Sequence, residues 1–229
     1  MLMLWNPPYK HCPFSWSVRL ALHEKRVAYD ETTIAEAHDP DTFRRLNPRD
    51  TMPAIQDGSC VVYETVAILE YLDHVLDGVE LMPSGRGRAT ALARLHEAGT
   101  FLTPASREVG LMLLRKKNKS EPQAFRLALD TLLQELDRLE HQLGAPGPWL
   151  AGPEVTLVDL AVFPHVAYFV GWGLEIHKRH PRLWKWHEAL AKRPAFESAA
   201  PPPIKKMIDA FLPPSKPLAP KPPARLAAL

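Results

Sequence analysis

The 229-residue sequence predicts an α+β protein built in two parts, a β-α-β-α-β-β-α unit followed by an all-helical one. Three observations predict it. Over residues 1–77, short apolar runs of strand length alternate with stretches of helical period. Beyond residue 88 no strand pattern competes with the helical ones. The charge also divides: residues 1–80 carry 7 basic and 13 acidic side chains, and residues 81–229 carry 21 and 13, so a net −6 precedes a net +8.

Each element has its own signal. Leu2-Met3-Leu4-Trp5 is a short apolar run stopped by Asn6-Pro7-Pro8, a buried strand and a turn. From Pro13 the period becomes helical, with Phe14, Val18, Ala21 and Leu22 recurring through Lys25; proline suits a first helical position because the N–H it lacks has no partner there. Val27–Ile34 reads as a second strand and residues 39–46 as a short polar helix. Pro53–Gln56 and Cys60–Tyr63 read as strands around an Asp57-Gly58 hairpin turn. Glu64–Leu76 is a helix with Val66, Ile68, Leu69 and Leu72 inward. Asp77-Gly78 and Ser84-Gly85-Arg86-Gly87 mark a linker. Helices follow over 88–117, 121–143, 157–172 and 181–193, with a short one near 203–211.

The second helical stripe is carried by Leu129, Leu132, Leu133, Leu136, Leu139 and Leu143. At the third, Thr156 stands at the N-cap and Asp159 at N3, with Val155 and Leu160 at the staple positions. Val155–Leu174 is the most apolar long stretch. It contains Asp159, Pro164 and His165, so it reads as a buried helix rather than a membrane span.

Composition narrows the function. A hydrophobic share of 46% supports a sizeable core, and a net charge of +2 argues against a protein built to grip nucleic acid. Two cysteines cannot form a disulfide framework, which points to a reduced, cytoplasmic setting. No basic and apolar leader opens the chain, so neither secretion nor a membrane partner is expected. Nine of the 24 prolines fall in residues 201–229, and from Pro213 the run reads as an extended, basic, polyproline-like tail.

Cys12 precedes Pro13 at the first turn of a helix, where unpaired N–H groups and the helix dipole favour a thiolate; Lys10 and His11 act in the same sense. It reads either as a reactive thiol or as a small buried cap residue. Ser15 and Ser17 are alternative hydroxyls in that turn. Cys60, among alternating apolar neighbours, reads as an inert core thiol. Met52-Pro53 is compatible with a cis turn, and Glu64-Thr65 opens a helix whose N-terminus suits a carboxylate. His177 and His180, with Glu175 nearby, lack a further ligand cluster, so no metal is expected. The basic run Arg115–Lys119 reads as a solvated helix end.

In this order and spacing the motifs resemble the cytosolic glutathione transferases over residues 2–200. Cys12-Pro13-Phe14-Ser15, followed by Val18-Arg19, resembles the catalytic turn of the omega class. Ser15-Trp16 and Val18-Arg19 also resemble the zeta class, whose catalytic serine position falls at Cys12. Met52-Pro53 is similar to the family's cis-proline turn, Glu64-Thr65 to its γ-glutamyl-holding pair, and Thr156–Asp159 to the capping box of its central C-terminal helix. Pro181-Arg182-Leu183 to Arg193-Pro194 is similar to its late-helix pattern. Ser17 departs, standing where many members have arginine.

The resemblance implies a thioredoxin-like glutathione-binding domain (1–77), a linker (78–87), an all-α helical bundle domain (88–200) and a proline-rich tail (201–229). It implies glutathione as co-substrate, a homodimer, and a small-molecule electrophile or mixed disulfide as second substrate. The reacting group would be Cys12 or Ser15. Met52, Pro53, Glu64, Thr65 and Arg49 would bind glutathione, Arg49 being chosen among Arg44, Arg45 and Arg49 for the glycine carboxylate. Phe101, Arg107, Met112, Tyr168 and Trp172 would wall the second-substrate pocket. The reaction implied is thiol transfer, deglutathionylation or conjugation. A non-catalytic interaction module and a glutathione-dependent isomerase are the alternatives.

Overall fold

The computed structural model describes residues 1–7, 12–36, 40–144 and 147–201. Four strands, β1 (Leu2–Asn6), β2 (Tyr29–Thr33), β3 (Ala54–Asp57) and β4 (Cys60–Tyr63), form one sheet in the order β2-β1-β3-β4. β1 runs parallel to β2 and antiparallel to β3, and β3 runs antiparallel to β4. With α1 (Pro13–Lys25), α2 (Pro40–Leu46) and α3 (Thr65–Val75) this is a thioredoxin-like unit. α1 ends in a left-handed Arg26, and the Val27 N–H bonds Leu22 O at 2.9 Å. Closing the helix takes up Val27, which is why β2 begins later than the apolar pattern suggests. Ile34 leaves the strand for a short 3₁₀ turn, held by Glu36, which accepts from the Thr33 N–H and hydroxyl at 3.1 and 2.9 Å.

The helical part contains α4 (Gly85–Glu97), α5 (Thr103–Leu114), α6 (Lys117–Ser120), α7 (Pro122–Gln142), α8 (Leu157–Gly171), α9 (Ile176–Arg179), α10 (Pro181–Ala191) and α11 (Pro194–Ala199). The single helix expected over 88–117 begins at Gly85 and is interrupted by a π-helical segment, Ala98–Leu102, between α4 and α5. The helix expected near 203–211, the proline-rich tail beyond Pro201, Lys10 and His11 lie outside the described residues.

Every residue of α8 except Ala161 is buried, as a central helix surrounded by others requires. Among the described residues no helix is long and apolar enough to cross a membrane. The capping box at its start is formed, and Asp159 also ties in two distant groups. Its Oδ2 accepts from Thr156 N and Oγ1 at 2.9 and 3.0 Å, and its Oδ1 accepts from Leu150 N at 2.9 Å and Trp186 Nε1 at 2.7 Å. Burial pushes this carboxyl above its ordinary range, while the four donors pull it back.

One core joins the two parts. Trp16 of α1, fully buried, meets Phe163 and Tyr168 of α8 edge-on at 5.4 and 6.3 Å. Arg193 forks onto Glu24 at 2.8 and 2.9 Å. In the connection, Leu81 N donates to Asp73 Oδ1 at 2.6 Å and Leu81 O accepts from Leu157 N at 2.9 Å.

The expectation for Cys60 is overturned. It is exposed, whereas Cys12 is buried. β4 is an edge strand, and Cys60 is its first residue, opposite Asp57 and directly after the hairpin turn, where the outer side of the strand has no neighbouring strand.

Candidate active site between the two domains

The sheet register gathers three chain segments at one end. Trp5 pairs with Ala54, and Ala54 pairs with Tyr63. The chain leaving β1 for α1, the chain entering β3, and the chain leaving β4 for α3 therefore meet at the same edge. The first delivers Cys12, the second Met52-Pro53 and the third Glu64-Thr65.

Cys12 is the N-cap of α1, with extended backbone (φ −86°, ψ 116°), and its carbonyl accepts from Trp16 N at 3.0 Å. Pro13 at N1 has no N–H to leave unpaired, so the amides of Phe14 and Ser15 form the open end of the helix. Cys12 is only 3% exposed. The Ser15 hydroxyl is buried, and no described residue partners it. Ser17, one turn deeper, donates to Pro13 O at 3.2 Å and Ala161 O at 3.4 Å, so its hydroxyl is engaged with the helical domain.

The Met52–Pro53 peptide bond is cis. The turn before it is fixed by Asn47, fully buried, whose Nδ2 donates to Thr51 O at 2.8 Å. Arg49 is exposed in that turn. Arg44, its alternative, faces Asp41 at 3.2 Å and Asp50 at 3.6 Å. Glu64 precedes α3 with φ +69° and ψ 121°, a left-handed φ in which a non-glycine residue is strained. Such a residue turns the chain sharply into α3, leaving the first N–H groups of an eleven-residue helix open toward the site.

An interdomain cavity of about 210 Å³ lies beside this helix end. Phe14 and Ser17 of α1 and Glu64, Thr65 and Val66 line one side. His96 of α4, the π segment and Thr103 line another, and Ala161 and His165 of α8 close it. The π segment makes this fit possible. An α-carbon substituent at Gly99 would meet Val66 Cγ2 at 3.2 Å, so glycine lets α3 and the segment approach. His165 is 3% exposed; its Nδ1 lies 2.8 Å from Ser106 Oγ, and its ring meets Phe14 edge-on at 5.4 Å. Burial pushes its pKa down to about 4, so the ring is neutral at pH 7.

The five residues expected to wall a second-substrate pocket are not gathered around one space. Met112 and Tyr168 are buried in the core, Arg107 is exposed, and Trp172 packs on Gly110 and lies 5.7 Å from the Tyr168 ring. Phe101 is half exposed and lines a different cavity of about 290 Å³, between α4, α7 and α8. The helical period identifies a face but not its rotation toward a neighbour, and the π segment shifts that rotation midway. No local spacing joins Thr103 and His165, which come together only as lining of the cavity, with Ser106 meeting the His165 ring from α5.

Among the described residues no group of three or more His, Cys, Asp or Glu side chains is placed to hold a metal ion. His180 instead bonds Asp137 at 2.8 Å, and His177 packs on Trp184.

Comparison with known proteins accounts for this arrangement. Residues 11–75 match the model of the glutathione S-transferase N-terminal domain, and residues 122–189 match that of the C-terminal domain. The chain is 31% identical to the "Glutathione S-transferase-like protein OpS6" of Beauveria bassiana, over 84% of this chain and 92% of that one. It is 30% identical to a Caenorhabditis elegans protein named "Probable maleylacetoacetate isomerase", over 82% and 88%. A crystal structure of a glutathione S-transferase from the Antarctic clam Laternula elliptica superposes with a TM-score of 0.73 at 27% identity, covering 91% of this chain and 98% of that one. The fold, the two matched domains and these relatives lead to one conclusion: the chain belongs to the cytosolic glutathione S-transferase superfamily and is a glutathione transferase.

Proposed function

We propose that Cys12 is the reacting group and that the enzyme transfers thiols through a mixed disulfide. Glutathione lies across the three converging segments. The Met52 backbone, held before Pro53, pairs with the cysteinyl portion, and Glu64 and Thr65 hold the γ-glutamyl end. Arg49 meets the glycine carboxylate. The α-carboxylate of the γ-glutamyl group suits the α3 N-terminus, where unpaired N–H groups and the dipole favour an anion.

The observation that carries this reading is the position of Cys12 as N-cap of α1, on the same sheet edge as Met52-Pro53 and Glu64-Thr65. In the reaction the Cys12 thiolate attacks the glutathionyl sulfur of a mixed disulfide. A Cys12–glutathione disulfide forms and the substrate thiolate leaves. A second glutathione thiolate then attacks that disulfide, releasing oxidised glutathione and restoring the Cys12 thiolate. The enzyme acts as a homodimer in the cytoplasm.

A second reading has its own support, the 30% identity to the protein named as an isomerase. In it, glutathione thiolate adds to an electrophilic double bond and leaves after rotation, and the buried Ser15 hydroxyl donates to that thiolate. Turnover separates the two. Under thiol transfer, Cys12→Ser lowers reduction of a glutathione mixed disulfide at least a hundredfold, while Ser15→Ala retains most of it. Mixed-disulfide turnover that survives Cys12→Ser but fails in Ser15→Ala would overturn the assignment of Cys12.

A further inference from the structure

The interdomain cavity holds a polar group that the thiol chemistry leaves unused. His165 is contributed by α8 of the helical domain, yet it lines the same 210 Å³ space as Glu64 and Thr65. Its Nδ1 is engaged by Ser106, and no described residue partners Nε2. The residue is 3% exposed, yet Nε2 is not one of the fully buried atoms that lack a partner; the ring borders the cavity, where a ligand group can meet it. The neutral ring has one donor and one acceptor; with Nδ1–H donating to Ser106 Oγ, Nε2 presents a lone pair.

The other lining groups define what that lone pair would meet. Among the described residues no lysine or arginine lines the cavity; Ser17, Thr65, Thr100, Thr103 and His96 line it with His165, and Glu64 supplies a carboxylate. The α3 N-terminus at one end suits an anion, and the acceptors beyond it suit a cation. An α-amino-acid head group, with carboxylate and ammonium on one carbon, matches that order.

We propose that His165 is a binding residue for the thiol co-substrate: its Nε2 accepts a hydrogen bond from the α-ammonium of the γ-glutamyl group, while the adjoining α-carboxylate lies on the α3 N-terminus. This rests on the reading that places the γ-glutamyl end at Glu64-Thr65. It adds that the helical domain takes part in recognising the co-substrate, so glutathione binding reports on how the two domains are seated together.

The test is calorimetric titration of the full chain with glutathione and with glutaryl-cysteinyl-glycine, which is glutathione lacking only its amino group. A charge-assisted hydrogen bond corresponds to about tenfold in affinity. His165→Phe, which keeps the ring against Phe14, should raise the Kd for glutathione about tenfold and leave that of the deaminated tripeptide within roughly twofold. His165→Gln, which keeps an acceptor, should restore most of the discrimination. Equal losses for both tripeptides, or no loss for either, would overturn the proposal. If His165→Phe does not fold, the wild-type ¹⁵N spectrum decides: the His165 Nε2 resonance should move with glutathione and stay with the deaminated tripeptide. Identical responses to the two would count against it. Wild-type protein that binds neither tripeptide would instead remove the underlying placement of glutathione.

Discussion

At the scale of single residues, the site is made by side chains and torsions that stability alone does not favour. Glu64 holds a left-handed φ of +69°, at a cost of about 1–3 kcal/mol. Two histidines are buried without charge. His165 has one partner, and His187, stacked on Phe163 at 5.2 Å and near Trp184 at 5.7 Å, has both ring nitrogens buried and unpartnered among the described residues. Burial pushes the pKa of each down to about 4, against an ordinary histidine value of about 6.5. Because the folded values are the lower ones, the unfolded chain binds more protons between those limits. The stability contributed is complete above about pH 6.5 and is lost as pH falls toward 4, by an amount on the order of a few kcal/mol for the pair. Urea midpoints should therefore drop steeply between pH 7 and pH 4.5, and His187→Phe should flatten that drop. An equal slope in wild type and variant would show that His187 contributes nothing to it. These residues were the least legible in the sequence. Cys12, Met52-Pro53 and Glu64-Thr65 declared themselves by local context, whereas His165 showed only as a polar residue within an apolar stretch.

The elements follow local rules more closely. The start of α8 was readable from Thr156 and Asp159 because a capping box is completed within four residues. What the pattern did not show is that Asp159 also accepts from Leu150 and Trp186, which lie on other segments. Asp159→Ala leaves two buried donors unpaired and removes the cap, so it should destabilise the fold by about 3–5 kcal/mol. Chemical denaturation checks this, and a loss under about 1 kcal/mol would show that the network is not holding α8 in place. Where element identity depended on neighbours, the sequence was less informative. The alternation around Cys60 suits a core strand or an edge strand equally, and only the order β2-β1-β3-β4 makes it an edge. The π segment between α4 and α5 has no period of its own, because a single wide turn is shorter than the window in which periodicity is read.

Across the whole molecule, the division seen in composition is a division of labour rather than of structure. The acidic N-terminal unit supplies Cys12, the cis turn and the α3 N-terminus, and the basic helical unit closes the cavity beside them. Trp16 against Phe163, Arg193 against Glu24 and the Leu81 connection make a shared boundary, so the site is a product of both units. The order of secondary structure was legible along most of the chain because each unit has a consistent period. The pocket walls were not, since they depend on how helices rotate against one another. The central claim remains that the reacting sulfur belongs to Cys12 and not to the more accessible thiol. Incubation of the full chain with oxidised glutathione, followed by peptide mapping by mass spectrometry, tests it most directly. The account predicts one glutathionyl group on Cys12, formed faster than on Cys60 although Cys12 is buried and Cys60 exposed, and absent from Cys12→Ser. Modification confined to Cys60, at the rate of an ordinary surface thiol, would contradict it.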